Sequence, residues 1–125
     1  TRIVQIKRGL PAGDAVGYGR AGVLLRETVT ATVPIGYADG LDRHLGCGRW
    51  SMLVHGKPAP IVGRICMDSC MVDVTGMNVA EGDEVTVFGS VPGNTVSDMA
   101  ALLGTIPYEI MTSVSERVKR IYLKE

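Results

Sequence analysis

Sixteen glycines and six prolines cut this chain into runs too short for long helices. Most of the runs between them are β-branched. Thr28 to Val33 reads TVTATV, and Ser51 to Val54, Ala59 to Ile65, Cys70 to Val74 and Glu84 to Phe88 are of the same kind. Such side chains suit a pleated, half-buried surface. Thr1 to Arg8 reads as another strand, and the loop from Gly9 to Asp14 turns the chain back into Ala15 to Gly19. Turn signals at Gly56-Lys57-Pro58, Gly76 and Glu81-Gly82-Asp83 separate the strands at regular spacing. Short strands so punctuated predict a closed or nearly closed antiparallel sheet.

The pattern changes near the C-terminus. Ser97 to Gly104 combines a capping serine, an acid in the first turn, helix formers and a stopping glycine, which predicts one short helix. Pro107 suits the first position of a second helix running through Met111, and Val118 to Leu123 reads as a last strand. The expected fold is therefore mainly β, an antiparallel β-barrel with one or two short helices near the C-terminus. Residues 1–125 carry no repeat or linker and read as one domain.

A chain of 125 residues buries roughly two thirds of its unfolded surface and needs no staple to fold. Thirteen basic and thirteen acidic residues cancel, so no overall field draws it to a polyanion or an anionic membrane. One Phe and one Trp offer little for base stacking, which further disfavours nucleic acid as a partner. A membrane helix needs roughly 18 consecutive apolar residues, and no such run occurs. An odd count of three cysteines points to a reducing, cytoplasmic setting. The chain starts at Thr1 without a signal segment, as an excised domain would.

Four constellations could carry chemistry. Gly17-Tyr18-Gly19-Arg20-Ala21-Gly22 matches the dinucleotide fingerprint, but that motif needs a helix after its third glycine, and a β-branched run follows here. Cys66 and Cys70 would lie about 13 Å apart on a strand, too far for one zinc ion, and so read as buried structural thiols. Gly36-Tyr37-Ala38-Asp39-Gly40 turns tightly after Pro34; it is either a plain loop or a device presenting Tyr37 to a pocket. Arg64 and Asp68 would share a face if their strand continued, as an ion pair or as part of a site.

Taken together, Val16 to Arg20 (VGYGR), Pro34 to Gly40 (PIGYADG), Ala59 to Asp68 (APIVGRICMD) and Ile106 to Glu109 (IPYE) resemble the landmarks of bacterial alanine racemases, in order and at similar separations. Arg117-Val118-Lys119-Arg120 stands where that family often has R-V-P-R. The resemblance implies a β domain whose complete enzyme also has an N-terminal α/β barrel, with a lysine there holding pyridoxal 5'-phosphate covalently. It implies a homodimer in which this domain meets its own barrel and that of a second subunit, lending residues to the latter. The substrate would be a small amino acid, and the product D-alanine for peptidoglycan. On the same resemblance Tyr18 is the catalytic base for the L-enantiomer, and the Met67 backbone N–H contacts the substrate carboxylate. Tyr37, Arg64 and Arg43 line the approach, Asp68 orients the constellation, and Tyr108 helps hold the cofactor phosphate. Arg20 is a local candidate for stabilising the phenolate of Tyr18. Many family members carry an aromatic residue where this chain has Gly22, which leaves open a broader, serine-accepting specificity. The alternative of another class is a non-catalytic barrel module serving assembly.

Overall fold

A computed structural model describes residues 1–17, 19 and 21–124. Its strands are β1 (Gln5–Leu10), β2 (Ala15–Val16), β3 (Gly22–Val23), β4 (Thr28–Val33), β5 (Ser51–Val54), β6 (Lys57–Val62), β7 (Cys70–Asp73) and β8 (Val85–Thr86). Two helices follow, α1 (Val96–Leu103) and α2 (Pro107–Ser113). Six strands form one antiparallel sheet in the order β1-β4-β7-β6-β5-β8, while β2 and β3 make a separate small hairpin between β1 and β4 in sequence.

The large sheet curls until its edges meet. The chain ahead of β1 bridges the chain ahead of β8 at Arg2 and Glu84. Ile3 N donates to Asp83 O, Gly82 N to Ile3 O and Val85 N to Thr1 O at 2.8–2.9 Å. This is the expected barrel-like architecture with two short helices, and curling satisfies backbone groups that an open edge would expose.

Alternation decides which side chains face inward. In β5 and β7 every second residue is buried, and β4 is buried along nearly its whole length. Val33, Met52, Val54, Ile61, Cys70 and Val72 fill the interior, Leu45 and Ile65 join them from loops, and Met99, Ala100 and Ile110 from the helices cover one side. Pro58 and Pro60 fit inside β6 because β7 pairs only with Ile61 and Val62, so their missing N–H groups break no ladder. Burial pushes the Cys70 thiol up to about 12, with the neighbouring Cys66 a smaller cause. Cys70 is thus the buried structural thiol expected; Cys66 is only partly covered and Cys47 is exposed.

Several boundaries differ from the sequence reading. The first strand begins at Gln5 and not at Thr1, because residues 1–3 are spent on closing the sheet. β2 ends at Val16, and the glycines at 17 and 19 have φ of 81° and 65°. β6 stops at Val62 because Gly63 turns the chain at φ 69°. The segment expected to be strand between Glu84 and Phe88 pairs only through Val85 and Thr86. Val118 to Leu123 is not a strand either, and Ile121, Tyr122 and Leu123 remain exposed. α1 is capped by Thr95 and not by Ser97. Thr95 Oγ1 accepts from Asp98 N at 3.1 Å while Asp98 Oδ2 accepts from Thr95 N at 3.0 Å, a reciprocal capping box. α2 starts at Pro107, as expected, and extends two residues beyond Met111.

Two outcomes test this packing. Leu45 is wholly buried, so Leu45→Ala should cost about 2–5 kcal/mol, read as a lower urea midpoint at unchanged slope. The Thr95 hydroxyl, then the Thr95 amide, hold the Asp98 carboxyl below its ordinary value against slight desolvation, with Gly93 N helping. A carboxyl depressed in the folded state stabilises it above the unfolded pKa, and that contribution disappears as pH falls through the folded value. The protection of amides in the first turn of α1, taken relative to the intrinsic exchange rate at each pH, should therefore fall as the pH is taken below the ordinary aspartate range, and should do so less in Asp98→Asn.

Candidate active site

The turn after β4 is built by backbone contact. A side chain on Gly36 would collide with the carbonyl oxygens of Cys66 and Met67, so only glycine lets the two loops touch here. Gly36 precedes a single 3-10 turn, Tyr37–Asp39. Tyr37 N donates to Cys66 O at 3.0 Å and Ala38 N to Met67 O at 2.9 Å. The 66–69 turn closes on itself through Cys66 N and Ser69 O at 2.9 Å. Both carbonyls flanking the Met67 amide are thereby engaged, yet among the described residues its own N–H has no hydrogen bond. Met67 is 51% exposed and Tyr37 44%, so both face solvent.

Asp39 fastens this turn. Its Oδ2 accepts from Gly36 N at 2.9 Å, and its side chain is only 11% exposed. Its carbonyl accepts from Ser115 N at 3.0 Å, bringing in the segment that follows α2. Gly40, at φ 108°, lies against the backbone of Ser113 and Val114. From that segment Arg117 reaches both loops, with Nε 3.5 Å from Asp39 Oδ1 and an Nη donating to Asp68 Oδ1 at 2.7 Å. The hydrogen bond to Asp68, then the charge of Asp39, hold the guanidinium above its ordinary pKa.

A family model described as alanine racemase, C-terminal domain, matches residues 1–122. The chain belongs to this family. It is 49% identical to alanine racemase 1 of Caldanaerobacter subterraneus over 98% of its own length and 32% of that protein. Among solved structures, alanine racemase from Bartonella henselae with covalently bound pyridoxal phosphate superposes with TM-score 0.89 and 37% identity, covering 98% of this chain and 33% of that one. The Bacillus anthracis alanine racemase with bound L-Ala-P gives TM-score 0.89 and 38% identity, covering 98% and 31%. The chain spans about one third of the length of the alanine racemases it matches.

The structure brings Tyr37, Met67 and Asp68 into one network. Arg64 and Asp68 do not share a strand face, because Gly63 ends β6 between the sheet and Arg64. Asp68 pairs with Arg117 instead, and among the described residues Arg64 makes no ion pair or side-chain hydrogen bond. Arg43 opens a second 3-10 turn, Arg43–Leu45; Gly46, which follows it, and Cys47 lie on the carbonyl of Gly63. Arg43 and Arg64 thus flank one backbone junction. Tyr108 stands in the first turn of α2, 72% exposed, and no side-chain hydrogen bond ties it to the others among the described residues. A cleft of about 320 Å³ separates Tyr37 from Glu109 and Ile110 of that helix. Among the described residues, no three His, Cys, Asp or Glu side chains gather as metal ligands. Cys66 opens a hydrogen-bonded turn and Cys70 begins β7, so the two do not lie on one extended strand.

Tyr18 and Arg20 lie outside the described residues. Their neighbours do not. Gly17 lies against the backbone of Arg64, and a Cβ on Gly19 would fall 2.9 Å from an Arg64 Nη. A Cβ on Gly22 would meet Val16 O at 2.6 Å and Gly63 Cα at 2.7 Å, so hairpin backbone and the Gly63 turn fill the space a side chain would take. The sequence reading quoted Arg117 and Asp39 within motifs but gave them no part in the site. Asp39, an acid three residues after Gly36, carried the spacing of a capping box; Arg117, 49 residues from Asp68, carried no local signal.

Gly36→Ala should push the 66–69 turn off the amides of Tyr37 and Ala38. Hydrogen exchange at those two amides should rise roughly tenfold or more, as expected when a bond worth about 1.5 kcal/mol is lost. Unchanged protection would show that the loops are held together by something else.

Proposed function

We propose that this domain is the tyrosine-bearing half of the active site of a pyridoxal-phosphate-dependent alanine racemase, a cytoplasmic homodimer that supplies D-alanine for peptidoglycan. The observation that carries the reading is the Met67 amide, an uncommitted donor on a turn whose neighbouring carbonyls are both engaged. A fixed N–H of this kind suits a carboxylate, and a charge-assisted bond to it is roughly twice as strong as a neutral one. The pyridoxal phosphate described for the Bartonella henselae relative and the alanine analogue of the Bacillus anthracis relative support the cofactor and the substrate class.

Pyridoxal phosphate, when bound, supplies an electron sink that acidifies the amino acid's α-hydrogen. The residues of this chain then have five tasks. Tyr18 takes or returns the proton on one face, in trans to the second subunit's barrel. A lysine of that barrel serves the other face, since one fixed base cannot reach both. Tyrosine and lysine, with reference pKa values of about 10 and 10.4, suit a reaction whose two directions are energetically equal. Met67 N–H holds the carboxylate and Asp68 orients its turn. Tyr108, whose phenol has no hydrogen bond among the described residues, fits as a donor to the cofactor phosphate. Tyr37, Arg43 and Arg64 line the approach.

The guanidinium of Arg64 lies against Gly19. The exposed thiol of Cys47 suits a reducing compartment.

The test is isotope exchange in the full-length protein. Tyr18→Phe should slow α-proton exchange from L-alanine by roughly 10²–10⁴-fold while exchange from D-alanine falls far less. Equal residual rates from the two enantiomers would sink the assignment of face, and a full-length wild-type protein without racemisation would leave the domain an assembly module.

A further inference from the structure

We propose that Arg117 is a positioning residue, a clamp that sets the direction of the Met67 N–H and so governs capture of the substrate carboxylate. The inference rests on the racemase reading above and assigns a task to a residue outside the four landmarks.

Met67 hangs between three ties. Its carbonyl accepts from Ala38 N, the carbonyl before it accepts from Tyr37 N, and the side chain after it, Asp68, pairs with Arg117. The first two ties are anchored on the 36–40 turn, and that turn is fastened through Asp39, whose Oδ1 faces the same guanidinium. Arg117 therefore touches both ends of the assembly. A planar fork suits this bridging, whereas the ammonium of lysine is a point charge that would serve one carboxylate at a time.

The bland alternative is a surface ion pair. Arg117 and Asp68 are 51% and 61% exposed, and pairs so exposed add little to global stability. That weakness separates the two roles. Removing Arg117 should leave the unfolding midpoint nearly unchanged while freeing the Met67 turn. The carboxylate does not change during α-proton transfer, so a lost contact to it weakens ground state and transition state alike, raising KM and sparing kcat.

In the full-length protein, Arg117→Ala should raise KM for both alanine enantiomers about tenfold, the size expected for a hydrogen bond to a charged group, with kcat within about threefold. Asp68→Asn should do the same, the double variant should be no worse than either single one, and Arg117→Lys should recover part of the loss. Hydrogen exchange of peptides spanning 36–40 and 64–69 should quicken in Arg117→Ala without a comparable change elsewhere. Unchanged KM, or unchanged exchange in those peptides, would overturn the clamp. So would a general loss of stability with kcat and KM changing together. Exchange reads the clamp even in a protein that does not racemise, so failure of the racemase reading is seen separately, as an inactive wild type.

Discussion

The site depends on Gly63, where the sheet stops being a sheet. With φ at 69° it turns the chain out of β6, and its lack of a side chain admits two neighbours at once. The β2–β3 hairpin settles on it through Gly22 and Val16, and its carbonyl accepts from Cys47 N at 2.7 Å. The segments carrying Arg43, Arg64 and the residues around Tyr18 are thus referred to one backbone point. Backbone-to-backbone contact has little slack, since no rotamer can absorb a shift. A few glycines therefore do here what a buried side-chain network does elsewhere.

The same device repeats one turn away. Gly36 admits the carbonyls of Cys66 and Met67, and Gly40 admits the segment at Ser113. Between them Asp39 uses its side chain on Gly36 and its carbonyl on Ser115. Rigid sheet lies on either side, as Val33 and Cys70 are paired at the ends of β4 and β7. These loops are thereby held nearly as firmly as the strands they leave, as the proposed site would require.

Strand character was legible where one face of a run is buried, as in β5 and β7, and where nearly the whole β-branched run is covered, as in β4, because burial and backbone propensity agree there. It failed where tertiary closure overrode pattern. Val118 to Leu123 has strand composition yet stays outside the sheet, and residues 1–3 lie outside β1 because they bridge the chain ahead of β8. The helices were legible from caps, with an error of one turn's start: Thr95 and Asp98 make the box that Ser97 was expected to begin. Tyr37, Met67 and Asp68 were singled out by resemblance, and the structure places them in one hydrogen-bonded network. The reach of Arg117 across 49 residues to Asp68 was not, since nothing local in either segment prefers that partner.

What the domain leaves unspent is as informative as what it buries. Met67, Tyr37 and Tyr108 are all largely exposed, and the Met67 N–H and the Tyr108 phenol lack partners among the described residues. In water this costs nothing, because solvent satisfies both groups. Covering them with apolar surface and no partner would cost about 1–3 kcal/mol apiece. A surface that is apolar enough to be covered and polar at isolated points therefore favours a cover that brings its own acceptors. A carboxylate over the amide and a phosphate over the phenol meet that demand; a close-fitting protein surface without acceptors does not. On the proposed reading the two donors would discriminate by charge before any chemistry begins.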